Sequence, residues 1–319
     1  MNTTEYTVML ADTHLLGQGG LAERALFPGH FDRLPRPLAE RIFASFQMGI
    51  TSAYTATLVM LRRRMPILLV HLGDVTCGSH EQGMKSVAVQ RVAAGCMAEL
   101  RASAQEVHVC HGNHDTGYHG ANPNGGMTRE SLNICEEIFG PSWWMTIISG
   151  ALHLGVSSPL AAYRGKDTFL LHRQLDQRTF VGDILRQYQD LPWVFYGHDP
   201  KTPSFFVNEI ADHEPRLIRF VYGDVHAPWV DALYHTVDRI SGITRAKTKT
   251  LLRFWRRSTL CPSVAPLWWR GHAYLEALIT SNGATFQQID VPMTRSASVL
   301  PTRSAVRSLG WMLKAYVHG

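Results

Sequence analysis

Asparagine, histidine and aspartate stand side by side at Asn113, His114 and Asp115, directly after Gly112 and an apolar run that includes Val107 and Val109. An amide, an imidazole and a carboxylate together are the chemistry of metal ligands and proton transfer, not of core packing. At the C-terminal end of a strand they would lie where open α/β sheets bind ligands. Similar residues close other apolar runs. Asp12 and His14 follow Tyr6–Ala11, and Asp74 follows Gly73 and the run Ile67–Leu72. His198 follows Trp193–Tyr196 and Gly197, and Asp224 and His226 follow Leu217–Tyr222 and Gly223. Aspartate, asparagine and histidine without a thiolate suit Mn²⁺, Fe²⁺, Zn²⁺ or Ni²⁺. Two such ions, roughly 3.5–4 Å apart, need a bridging carboxylate, for which Asp74 is the natural choice. The pair makes a bound water acidic enough to attack a phosphorus ester and steadies the charge that moves onto oxygen.

The elements that must position these residues follow from periodicity and breakers. Tyr6–Ala11, Ile67–Leu72 and Val107–Cys110 read as buried strands, with helices between them at Leu38 to about Arg63 and at Val87–Ala102. The segment after His14, to about Pro37, is rich in glycine and proline and reads as a loop. Strand, polar end, helix, strand is the alternation of a layered α/β sheet. Further along, Thr128–Phe139 reads as a helix, Trp144–Ser157 as β-rich, Thr168–His172 as a further strand and Gln177–Gln189 as a helix. Trp193–Tyr196 and Leu217–Tyr222 are strands again. After Pro228 the chain turns basic over Val237–Arg257, then shows β character over Leu275–Val291 and a last helix near Ser304–Val317. A boundary near residue 230 would divide a catalytic domain, 1–230, from a C-terminal extension or cap, 231–319.

The 319 residues can bury a full core, and apolar and charged fractions are those of an ordinary globular protein. The formal charge of +5 permits a polyanionic partner without demanding one. Five cysteines with no C-x-x-C spacing argue against a disulfide framework or a thiolate zinc site, and Cys110 beside the motif reads as a packed thiol. No basic-then-apolar leader precedes Asp12 and no apolar run is long enough to span a bilayer, so the expected compartment is the cytoplasm, with no membrane contact.

The ordered set D-x-H, G-D, G-N-H-D, G-H and G-x-x-H, spread over about residues 6 to 228, resembles the calcineurin-like metallophosphoesterase superfamily. The resemblance implies a four-layer α/β/β/α sandwich with two divalent metal ions at its strand ends, Mn²⁺ first among the candidates. Carried over by motif, Asp12 and His14 would hold one metal with His226, Asp74 would bridge, and Asn113 and His198 would hold the second. His114 would be no ligand but would protonate or steady the leaving oxygen, and Asp115 would orient it. Where the family usually has G-H-x-H, this chain has Gly223-Asp224-Val225-His226; Asp224 is kept as a ligand of the second metal. The G-D-x-H-x-P form looks like that of phage and bacterial relatives of the double-strand-break-repair nucleases.

Alternatives remain open at this level. His172, at the end of Phe169–Leu171, competes with His198 as the fourth motif, with His198 preferred. His71, His80, His108, His111 and His119 read as ordinary strand or loop histidines rather than a metal tract. The basic stretch Arg239–Arg257, with Phe254 and Trp255, is either a phosphate-tracking surface or, as preferred, a helix face whose aromatics dock on the sandwich. Trp268 and Trp269, and the terminal helix, are best read as packing. Binuclear phosphoester hydrolysis is expected, with a phosphodiester and DNA favoured as substrate. A phosphomonoesterase or small-nucleotide hydrolase is the alternative, and a non-catalytic scaffold the third reading.

Overall fold

Strand β1 (Thr7–Leu10) is buried throughout, and its alternate residues look into two different cores. The structure, a computed structural model, describes residues 6–15, 36–76, 83–117, 126–224, 246–264 and 273–291. Val8 and Leu10 face a helical layer, whereas Met9 and Ala11 face a second sheet. This period-2 alternation with both sides apolar is why the strand reads as a continuous hydrophobic run.

Beside β1 lie the parallel strands β2 (Leu68–His71) and β3 (Glu106–Val109). A second sheet starts with the hairpin of β4 (Trp143–Ile148) and β5 (Ala151–Val156), whose turn places Ser149 and Gly150 both at positive φ. β6 (Trp193–Gly197), β7 (Leu217–Tyr222) and β8 (Ser258–Leu260) continue it in parallel. The antiparallel pair β9 (Ala273–Thr280) and β10 (Gly283–Asp290) joins the first sheet through β9 and β1. The two orders are β10-β9-β1-β2-β3 and β4-β5-β6-β7-β8.

Three apolar clusters separate the layers. Between the sheets lie Met9, Leu68, Val70, Leu72, Trp144, Val194, Tyr196, Val221, Leu275 and Ala277. Outside the first sheet pack helices α1 (Arg36–Arg64) and α2 (Val87–Arg101); Ile50, Ala53, Tyr54, Leu58 and Leu61 give α1 one apolar stripe at helical spacing. On that side too lie Cys135 and Phe139, from the helix spanning Arg129–Phe139. Outside the second sheet, Val181, Leu185, Phe206, Ile210 and Phe254 cover Phe195, Phe220 and Tyr222. The result is the expected α/β/β/α sandwich. The expected domain boundary near residue 230, the helix near Ser304–Val317 and Trp268–Trp269 lie outside the described residues.

One expected strand is not a strand. With α3 (Asn113–Thr116), α4 (Arg129–Phe139) and α5 (Ser158–Ala161) preceding it, residues 168–172 begin α6 (Thr168–Gln187). Its first turn is held by Asp167, whose carboxylate accepts the Leu170 N–H at 3.2 Å. An aspartate N-cap overrides a short apolar run that fits either period. Leu170, Gln177, Val181 and Leu185 then form its buried face, and His172 is left exposed. The preferred fourth motif, His198, stands at the end of β6 as expected.

The last described helix, α7 (Ala246–Arg256), buries Phe254 completely, with an edge contact to Trp193 at 5.8 Å. Arg253 pairs with the buried Glu214, and Arg257 just beyond bonds the carbonyls of Glu214 and Leu217. In the described part of the basic stretch, 246–257, Phe254 docks on the sandwich as the preferred reading expected. Arg239 and Arg245 lie outside the described residues.

Candidate metal centre

At the C-terminal ends of β1, β2 and β7 the backbone turns through left-handed conformations. Among the described residues, four of the six non-glycine residues at positive φ are Asp12 (51°), His14 (44°), Asp74 (53°) and Asp224 (60°). Each such residue costs about 1–3 kcal/mol and persists only where its surroundings over-determine it. Here the turns brace one another. Asp12 N–H donates to Gly73 O, His14 N–H to Asp74 O and Leu15 N–H to Val75 O. Gly73 and Gly112 permit this close approach. A Cβ on Gly73 (φ 99°) would sit 2.7 Å from Cys110 O and Gly112 N, and one on Gly112 would sit 2.1 Å from Asp74 Oδ1.

The side chains then converge. Ligand atoms of His14, Asp74 and His114 lie within 4.8 Å of one another, as do those of Asp12, Asp74 and His198. Asp74 belongs to both groups, as a bridging carboxylate must. Its Oδ1 accepts the His114 N–H at 2.9 Å, while Oδ2 lies 3.4 Å from His198 Nε2, 3.7 Å from His14 Nε2 and 4.0 Å from His114 Nε2. His198 Nε2 is also 2.9 Å from Asn113 Oδ1 and 3.5 Å from Asp224 Oδ1. Asp224 N–H points to Asp12 Oδ1 at 3.4 Å. Eight of the nine expected residues thus meet at one place, and the ninth, His226, lies outside the described residues.

His198 shows how the ring is aimed. Its Nδ1 meets Leu72 O at 2.8 Å, so Nε2 faces Asp74, Asn113 and Asp224. Ser158, on α5, fixes its backbone: the hydroxyl oxygen accepts N–H from both His198 (2.8 Å) and Asp199 (3.1 Å) and bonds Thr202 Oγ1 at 2.6 Å. The sequence singled out neither Ser158 nor Thr202; serine before proline at a strand exit is the only cue.

Asp115 departs from its expected role. Its carboxylate does not address the His114 ring but accepts four backbone N–H groups: Asp74 (2.8 Å) and Gly112 (3.0 Å) on Oδ2, Val75 (3.0 Å) and Thr76 (3.4 Å) on Oδ1. Consecutive residues of a helical turn point about 100° apart, so adjacency in sequence sends the two side chains different ways. Asp115 builds the Asp74 turn. His114, with 17% side-chain exposure against 1% for His14 and His198, is the histidine that reaches solvent, and its ring meets that of His14 edge-on at 4.9 Å.

Electrostatically the site is a buried concentration of carboxylate. Burial pushes the Asp12 carboxyl well above the usual range, with Asp74 and Asp224 adding to it against His198. Burial also opposes ionisation of Asp74, but His198, His114 and His14 hold its carboxyl well below that range. His198 is correspondingly held high, against burial, by Asp74 and Asp224. No lysine or arginine among the described residues pairs with Asp12, Asp74 or Asp224, and Asp12 Oδ2 and Asp74 Oδ2 are buried with no hydrogen-bond partner there. Buried carboxylate oxygens without hydrogen-bond donors are costly, and divalent cations held between oxygen and imidazole nitrogen remove that cost. The donor set fits them.

Neighbouring groups behave as ordinary structure. Cys110 is buried, its thiol pushed up to about 12 by burial. His108 stacks on Trp144 and bonds Glu106, and His111 bonds Gly140 O; His80 and His119 lie outside the described residues. No described helix is long and apolar enough to cross a membrane. The family model for calcineurin-like phosphoesterases matches residues 7–228, the span that carries all five of these strand ends. No curated protein matches the chain.

Proposed function

We propose that this chain, which belongs to the calcineurin-like phosphoesterase family, hydrolyses a phosphodiester, with a nucleic-acid backbone as the favoured substrate and Mn²⁺ as the favoured metal. The family's chemistry is metal-dependent hydrolysis of phosphate esters. The observation that carries the reading is that two groups of metal-capable side chains, His14–Asp74–His114 and Asp12–Asp74–His198, share Asp74, and that His114 is the member that reaches solvent.

Asp12 and His14, with His226, would hold one ion, and Asn113, His198 and Asp224 the other, Asp74 serving both. Two bound divalent ions supply Lewis acidity at the phosphoryl oxygens and lower the pKa of water. The chain's own part is orientation. Asp74 Oδ1 is fixed by the His114 N–H, which leaves Oδ2 toward the histidines. Leu72 O fixes the His198 ring. His114 would stand beside the scissile ester and give a proton, or a hydrogen bond, to the departing oxygen.

The diester preference rests on Asp224. An aspartate there, in the G-D-x-H-x-P form, adds negative charge to the second ligand set relative to histidine, which disfavours the doubly charged monoester more than the singly charged diester. Bis(p-nitrophenyl) phosphate and p-nitrophenyl phosphate, compared with Mn²⁺ added, separate the readings. A higher kcat/KM for the diester is expected; a clear preference for the monoester would sink the diester assignment and favour a phosphomonoesterase or small-nucleotide hydrolase.

A further inference from the structure

His71 and Thr13 are not among the expected ligands of the candidate centre, yet both are fully buried next to them in the chain. His71 ends β2, two residues before Gly73, and Thr13 stands between Asp12 and His14. The polar atoms of the two side chains form a chain whose donor directions are all determined. The Gly73 N–H donates to His71 Nδ1 at 3.2 Å, so Nδ1 carries the lone pair. In the neutral ring the proton then resides on Nε2, which donates to Thr13 Oγ1 at 3.1 Å. The Thr13 hydroxyl in turn donates to Val75 O at 2.8 Å. The relay begins at the residue before Asp74, crosses to the residue between Asp12 and His14, and returns to the residue after Asp74.

We infer that His71 and Thr13 form a positioning clamp that locks the Asp12–His14 turn to the Asp74 turn and thereby sets the affinity of the centre for its divalent metals.

The need for such a clamp follows from the backbone. Asp12, His14 and Asp74 are all held at positive φ; the Asp115 carboxylate braces the Asp74 turn from one side, but across to the Asp12–His14 turn the other bonds are main-chain ones such as Asp12 N–H to Gly73 O at 3.2 Å. Ligands on turns that relax toward ordinary φ values would lose their common focus. A histidine is suited to the position because one ring offers an acceptor and a donor on opposite sides at fixed separation. A leucine there would fill the same space and leave both the Gly73 N–H and the Thr13 hydroxyl oxygen a partner short in the interior. Outer partners of this kind typically change metal affinity by about 10–100-fold.

The clamp rests on the metal reading above, and the test separates the two. Mn²⁺ binding to the metal-free full-length chain is measured by titration calorimetry for the wild type, His71→Phe, Thr13→Val and the double variant, with thermal melts of each. Roughly 10-fold weaker Mn²⁺ binding is expected for either single variant. The double variant should be no weaker than the worse single, because both break one chain of bonds. His71→Asn, whose amide oxygen can still accept the Gly73 N–H, should recover part of the loss. Folded variants that bind Mn²⁺ as the wild type does, or losses that multiply in the double variant, would overturn the clamp while leaving the metal centre standing. If His71→Phe does not fold, the isosteric Thr13→Val decides by the same criterion. A wild type that binds no Mn²⁺ overturns both.

Discussion

Asp115→Asn distinguishes two accounts of the G-N-H-D motif. The carboxylate accepts N–H groups from Asp74, Gly112, Val75 and Thr76, two on each oxygen, and is fully buried. Asparagine has the same shape but one acceptor atom fewer. Whichever way its amide is turned, an NH₂ group faces two backbone N–H donors. Two buried donors lose their acceptor at about 1–3 kcal/mol each, so the substitution should cost on the order of 4 kcal/mol. That is a large share of the roughly 5–15 kcal/mol that holds a native chain together. For a chain of this length the melting temperature should fall by on the order of 5 °C. Because the released donors include the N–H of Asp74 itself, Mn²⁺ affinity should fall with stability. If Asp115 merely oriented the His114 ring, Asp115→Asn would instead resemble His114→Asn, with slower hydrolysis, an unchanged melt and unchanged Mn²⁺ affinity. Thermal melts of the metal-free protein and Mn²⁺ titration of both variants decide. An Asp115→Asn protein that melts within a degree of the wild type and binds Mn²⁺ equally well would refute the turn-building role.

Two further outcomes concern the fold. His153 is buried between the sheets against Tyr196, and burial, with His108 nearby, pushes its imidazole down to about 4. Above about pH 6.5 it is neutral folded or unfolded and contributes no pH dependence; between about 6.5 and 4 only the unfolded chain takes the proton, so stability is lost as pH falls, by about 1.4 kcal/mol per unit. Urea unfolding at stepped pH should show that slope reduced by one proton's share in His153→Asn, which keeps an acceptor for the Tyr196 hydroxyl; an unchanged slope would assign the acid sensitivity elsewhere. Gly95 lies mid-helix in α2, exposed, and a Cβ added there would meet no atom within 4 Å, so Gly95→Ala should raise stability by about 1 kcal/mol without altering Mn²⁺ binding; a destabilised variant would show that this stretch of α2 is not the regular helix described.

Strands β1, β2 and β6 were legible because burial on both faces writes them as apolar runs, and each is followed at once by a polar ligand type. Val8 and Met9 look into different cores and are equally hydrophobic for that reason. What the sequence concealed was direction and distance. His114 and Asp115 are neighbours in the chain, yet a helical turn points them apart, so one reaches solvent and the other holds a turn 41 residues earlier, at Asp74. Ser158 supports His198 across 40 residues, and β9 pairs with β1 from the far end of the chain; no local pattern carries such pairings. Thr168–His172 misled because five residues cannot distinguish a period of 2 from one of 3.6, and the deciding residue, Asp167, lies just outside the run.

The central claim is that Asp74 serves two divalent ions at once. Metal content of the full-length chain after Mn²⁺ loading and desalting tests it directly, wild type against Asp74→Asn, with thermal melts to show that both are folded. The account predicts two ions per wild-type chain and loss of both in Asp74→Asn, together with loss of bis(p-nitrophenyl) phosphate hydrolysis. Fewer than one ion per wild-type chain, or an Asp74→Asn protein that keeps its metal and its activity, would contradict it.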